Sequence, residues 1–151
     1  MAFTTGATIN EFEAQQDLGN SSAARATGGF SLTGDLLQYT NTVNAIEASM
    51  VLTATFASPP TANTSVSLFA RLISVQSTNS EQVPDANFQE TFLNAFALND
   101  VSGLQTKAVD ISLPNSKAGQ VYEFYIQNNA GVTVSAGWKL FITPKAINAK
   151  A

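Results

Sequence analysis

The inventory of reactive side chains decides most of the chemistry open to this 151-residue sequence: eleven carboxylates, no histidine and no cysteine. Histidine is the commonest general base, the usual activator of serine and cysteine nucleophiles, and the commonest metal ligand. Without cysteine there are neither thiolate metal sites nor disulfides. A glycosidase needs only two carboxylates flanking a sugar. Asp85 and Glu90 flank one loop, and Asp100 and Asp110 flank another. Neither pair stands among aromatics at a recognisable spacing, and both read as solvated turn residues. Gly28-Gly29 and Gly34 bracket Phe30-Ser31-Leu32, but no helix carrying Lys-Ser or Lys-Thr follows, so they read as turns rather than a phosphate cradle. Calcium held by Asp35, Asp85 or Asp100 would call for an Asp-x-Asp-x-Asp-Gly loop, which the sequence lacks. The expectation is no enzyme, no metal and no cofactor. One stacking group is left, in which Trp138, Tyr122, Tyr125 and Phe141 form a platform for a sugar ring. Against it, Trp138 shares a strand face with Leu140 and Ile142 and reads as core.

Composition narrows the partners. Hydrophobic residues make up 44%, which is globular. Charged residues make up 12%, about half the usual ~25%, so the surface is largely Ser, Thr, Asn and Gln. A net charge of −4 offers no long-range attraction to nucleic acid or to an anionic membrane, and neither is expected as a partner. Every lysine falls at or after Lys107, while Glu11, Glu13, Asp17, Asp35 and Glu47 come early. The asymmetry fits a head-to-tail contact between subunits, and a solvated surface equally well. The first residues, Met1-Ala2-Phe3-Thr4-Thr5-Gly6, have neither the basic nor the apolar region of a signal peptide. The expectation is that the protein stays in the cytoplasm where it is made.

The elements that would position these groups are mostly strands. Residues 45–56 alternate, with Ile46, Ala48, Met50, Leu52, Ala54 and Phe56 on one face and Glu47, Ser49, Thr53 and Thr55 on the other. Pro59-Pro60 breaks the pattern, and a second strand resumes at 66–75. Residues 77–87, with Pro84, read as a loop. Beyond it Phe88, Phe92, Leu93 and Phe96 have helical spacing, while Phe92, Asn94, Phe96 and Leu98 alternate; a strand over 91–98 fits the aromatics better. Residues 99–103 have turn composition, and further strands fall at 108–113, 120–127, 132–135 and 137–143, the last closed by Pro144. The expected fold class is all-β, an antiparallel two-sheet β-sandwich, jelly-roll-like, with an extended N-terminal arm. The boundaries are an arm at 1–26, the sandwich at 27–145 and a tail at 146–151.

The arm is small, polar and alanine-rich. Thr8-Ile9-Asn10-Glu11 has capping-box form and Gly19 is a stop, which permits a short helix over 9–18. Its large apolar groups, Phe3, Ile9, Phe12 and Leu18, are too few for a second core and are the candidate protein-interface residues. Two readings stay open. Either the arm packs on its own sandwich or is disordered, or it reaches a neighbouring subunit and orders as it binds.

Four runs, Phe92-Leu93-Asn94-Ala95-Phe96, Asp110-Ile111-Ser112-Leu113-Pro114, Tyr122 through Gly131, and Gly137-Trp138-Lys139-Leu140-Phe141-Ile142-Thr143-Pro144, resemble small tailed-bacteriophage capsid decoration (cement) proteins of jelly-roll-like fold. The resemblance spans roughly residues 45–145. It implies a place on the outside of a virion, the major capsid protein as partner, and self-association as a dimer or trimer. That family offers no catalytic residues to carry over. The alternative is a receptor- or carbohydrate-binding module of a phage tail or fibre.

Overall fold

The computed structural model describes residues 8–20, 23–31, 37–73, 81–89 and 91–149. Among them it contains nine strands: β1 (Thr8–Phe12), β2 (Gln16–Asn20), β3 (Gln38–Asn41), β4 (Glu47–Phe56), β5 (Ser65–Ile73), β6 (Phe92–Ala97), β7 (Gly103–Ser112), β8 (Gln120–Asn128) and β9 (Lys139–Ala149). They form two antiparallel sheets. The first runs β1-β9-β4-β7 with β2 also on β9, and the second runs β3-β8-β5-β6. Taking β1 and β2 as one interrupted first strand, the first sheet holds strand positions one, eight, three and six, and the second holds two, seven, four and five. That order is a jelly roll, and the expected two-sheet sandwich is what forms.

β4 carries the clearest cause of this arrangement. Ala48, Met50, Leu52, Ala54 and Phe56 are buried, and the residues between them are half-buried or exposed. Its even residues face the second sheet and its odd residues face outward. β4 is paired on both sides, with Met50 opposite Val109 of β7 and Ile142 of β9, and Leu52 opposite Lys107 and Leu140. Against this layer lie Tyr39, Val66, Leu68, Phe96, Tyr122, Phe124 and Ile126 from the second sheet, all buried. Trp138 is 1% exposed and belongs to the same core.

Two fully buried asparagines tie the corners. Asn41 donates from Nδ2 to Ala45 O (2.8 Å) and Ser116 Oγ (3.0 Å) and accepts from Ala45 N (2.8 Å). Asn128 donates to Arg25 O (2.8 Å) and Val132 O (2.7 Å) and accepts from Ala130 N (2.9 Å). Each side chain satisfies backbone groups that no strand reaches, so its burial carries no unpaired polar atom. Gly131, at φ 76°, sits against Thr61 so closely that a β-carbon would collide with the Thr61 hydroxyl. Only glycine fits that approach.

Several expectations are corrected. The helix over 9–18 does not form. Thr8–Phe12 pairs with Lys145–Ala149, and Gln16 and Asp17 pair with Ile142 and Phe141. A lone helix of ten residues with one good apolar pair is marginal, whereas the free edge of β9 offers backbone partners all along its length. Residues 8–20 and 146–149, set apart in the sequence as arm and tail, thus supply strands of the first sheet. Pro144 does not close the last strand either. It sits opposite the break between β1 and β2, where its carbonyl accepts from Glu13 N (2.8 Å), so its missing N–H falls where the edge is already interrupted. β7 begins at Gly103 rather than 108, and β3 lies in a stretch where no strand is expected. Residues 132–135 make single bridges through Val134 to Arg25 and Phe56 instead of a strand.

Trp138→Ala should lower unfolding free energy by about 3–5 kcal/mol, the cost of emptying an aromatic core site. Urea denaturation measures it, and iodide should fail to quench the single tryptophan of the native protein.

Candidate interaction surface

The outer faces of the two sheets differ in a way that bears on function. The outer face of the second sheet is covered along β5 and β8, while Phe92 at its β6 edge stays half exposed. Phe69, Tyr125 and Glu123 point away from the main core and yet are 1%, 0% and 5% exposed. Phe30 and Phe92 close over Phe69, with ring centroids 5.5 Å and 5.7 Å from it. Residues 28–31 extend this sheet along β8, with Gly28 N donating to Asn128 O and Ser31 N to Ile126 O. Gly28-Gly29 thus serve strand pairing.

Under this cover lies a charged cluster that sequence reasoning missed. Glu123 accepts from Arg71 Nη2 (3.1 Å), from Gln38 Nε2 (2.9 Å) and from the Tyr125 hydroxyl. The Arg71 guanidinium stands 5.9 Å from the Tyr125 ring centroid. With three donors the carboxylate is satisfied, and with both charges paired the cluster is a structural ion pair. Strand alternation placed Glu123 on an outer face, and nothing local in the sequence signals that this face is covered.

The outer face of the first sheet is open. Cross-strand register lays it out in rows: Phe12, Lys145, Glu47 and Ser112; then Thr143, Ser49 and Asp110; then Asp17, Phe141, Val51 and Ala108; then Lys139, Thr53 and Thr106. Hydroxyls and charged side chains share the face equally, with Phe141 and Val51 half-buried at the centre. Lys145 Nζ pairs with Glu47 Oε2 (2.9 Å) and Lys139 Nζ with Asp17 Oδ2 (3.3 Å). Asp110 has no ion-pair partner among the described residues. Exposed ion pairs of this kind contribute little to stability, but they leave the face close to neutral. At one corner a cleft of about 320 Å³ is lined by Phe12, Glu47, Asp110, Ile111, Ser112 and Lys145.

The four candidate interface residues separate. Phe12 is 66% exposed and lines this cleft. Leu18 is 5% exposed within the core, so its apolar surface is used inside the chain. Ile9 lies in β1, and Phe3 falls outside the described residues. The sugar platform does not assemble: Trp138 and Tyr122 are buried in the core, Tyr125 is buried under the cover of the second sheet, and only Phe141 reaches an open face. Asp85 accepts from Asn87 N (2.7 Å) and Phe88 N (3.0 Å), a turn-forming role. Glu90 and Asp35 fall outside the described residues. Among the described residues no three His, Cys, Asp or Glu side chains gather as metal ligands.

No family model matches the chain, and no curated protein matches it. Among solved structures, it is similar to the CBM35 from Cellvibrio japonicus Abf62 at 16% identity, covering 96% of this chain and 99% of that one, with a TM-score of 0.33. It is also similar to the N-terminal cellulose-binding domain from Cellulomonas fimi β-1,4-glucanase C at 10% identity, covering 95% and 89%, with a TM-score of 0.31. Likeness at this level carries no argument about function.

Removing Glu123 would leave the half-buried Arg71 without its counter-charge, so Glu123→Ala should destabilise by about 2–4 kcal/mol in urea denaturation. The tyrosines predict a pH dependence. Burial, with added charge from Tyr122 and Glu13, pushes Tyr39 up to about 12. Burial also raises Tyr122, and burial with the Glu123 carboxylate raises Tyr125. In the unfolded chain tyrosine titrates near ~10. The folded state therefore holds these protons more tightly, and the stability they contribute is fully present below pH ~10 and lost as pH climbs through about 12. Urea midpoints should fall over that window, with tyrosinate absorbance rising only as the protein unfolds.

Proposed function

We propose that this chain is a non-catalytic attachment domain that docks the open face of its first sheet on another protein, acting as a decoration protein on the outer surface of a phage capsid. The observation that supports this most directly is the contrast between the two outer faces: the second sheet is covered along β5 and β8 by the chain's own side chains, and the first presents a nearly neutral field of hydroxyls and charged groups of both signs around Phe141 and Val51, with Phe12 exposed at its corner. Such a face suits a protein that is soluble before assembly and then adheres at many equivalent sites. Its hydroxyls lose little on desolvation when they find partners, and among the described residues four of its five charges are already paired, Asp110 being the exception. Repetition of weak contacts over a shell raises the overall occupancy. The sequence resemblance to cement proteins points the same way and names the major capsid protein as the partner and the virion as the location. The tail or fibre module with a sugar ligand is the weaker reading, since the aromatics that would form its platform are spent in the interior.

On phage heads prepared without this chain, added protein should bind in hundreds of copies. Val51→Arg and Phe12→Ala alter the open face without touching the core and should shift unfolding by no more than ~0.5 kcal/mol. Each should weaken binding to heads by about tenfold, equivalent to ~1.4 kcal/mol. Undiminished occupancy for both variants would reject this face as the docking surface.

A further inference from the structure

β7 is the outermost strand of the first sheet, and two hydrogen bonds set the phase of its backbone. Leu113 N donates to Ile46 O (2.9 Å), and Asn94 Nδ2 reaches from β6 to Asp110 O (2.8 Å). The odd residues of β7 therefore bond to β4, and the even residues turn their N–H and C=O groups away from the sandwich. Among the described residues nothing pairs with the backbone of Leu104, Thr106 or Ala108. Asn94 caps the carbonyl of Asp110, so the open stretch ends there.

An edge of this kind is a template for another strand unless something blunts it. Most of the usual devices are missing, and the one present, Lys107 on the core-side face opposite Leu52, is tied down at its tip. β7 pairs with β4 over ten residues without a bulge and contains no proline. Its one lysine, Lys107, lies on the opposite face from Thr106, and its Nζ is held by Asn99 Oδ1 (2.8 Å). At one end Leu104 is 71% exposed.

We propose that β7 pairs antiparallel with β7 of a second copy across a two-fold axis at Thr106, joining the two first sheets into one. A two-fold contact must be self-complementary, and this register is. Thr106 faces Thr106, and Leu104 of each copy faces Ala108 of the other. All three open residues find backbone partners, and the pairing stops short of the carbonyl that Asn94 occupies. Gln105 falls opposite Lys107 and Asp110 opposite Ser102, so no like charges meet. Moving the axis to Ala108 would require the capped Asp110 carbonyl, and moving it to Asp110 would set two carboxylates face to face. The dimer covers Leu104 and leaves the open face of each copy on the same side of the joined sheet, which is compatible with the capsid reading but does not rest on it.

Sedimentation of the full chain across the micromolar range should show a dimer. Thr106→Pro removes only an N–H that bonds nothing within the monomer, so it should sediment as a monomer with an unchanged melting transition. The absence of native cysteine makes cross-linking clean. In the paired register the Cα atoms of facing Thr106 residues lie about 5.5 Å apart, within disulfide reach. Thr106→Cys should therefore cross-link to itself under mild oxidation. Leu104→Cys alone should not, but Leu104→Cys mixed with Ala108→Cys should. A monomeric wild type, a dimeric Thr106→Pro, or Leu104→Cys linking to itself as readily as Thr106→Cys would each overturn the proposal. Should Thr106→Pro fail to fold, the cross-linking pattern decides.

Discussion

The register of β4 between β7 and β9 is the constraint on which the rest of the molecule depends. A strand's side chains alternate, so a slip of one residue would carry Met50, Leu52 and Phe56 to the outside and Ser49 and Thr53 into the core. With neighbours on both sides, β4 fixes β7 and β9 at once, and β9 in turn fixes where β1 and β2 can join. The same alternation that fills the core with apolar groups decorates the outer face with hydroxyls. Core and surface are two readings of one pattern, and neither changes without the other.

From that constraint follows the asymmetry that gives the molecule a front and a back. The second sheet carries large aromatics and an ion pair on its outer side, and these are costly to leave in water unless covered and paired. Phe30 and Phe92 supply the cover, and Gln38 and Tyr125 complete the hydrogen bonds of Glu123. The first sheet carries residues that tolerate either water or a partner. A chain without disulfides, standing on packing alone, thereby leaves the outer face of its first sheet open to water.

Sequence patterns revealed the elements whose evidence is local. β4 and β8 show their period over nine or ten residues, and Trp138 reads as core because Leu140 and Ile142 share its face. What escaped depends on partners far along the chain. β1 and β2 are short and polar and become strands only because β9, more than a hundred residues later, offers an edge; β3 likewise takes its identity from β8. Pro144 looks like a terminator until the gap between β1 and β2 is known. Of the candidate interface residues, Leu18 could not be told from Phe12 by type or spacing. Which of the two is buried is settled by register on β9: Phe12 falls opposite outward-facing Lys145, while Leu18 follows outward-facing Asp17 and so turns inward.

Imaging of the assembled particle tests the central claim most directly, by showing which surface of this fold meets a neighbour. A cryo-electron microscopy reconstruction should place the sandwich on the outside of the phage head, with Val51, Phe141 and Thr143 turned toward the capsid protein and the second sheet, which carries Phe69, turned to solvent. Density for this fold confined to the tail, or seated on the head with the β4–β9 face turned outward to water, would contradict the account.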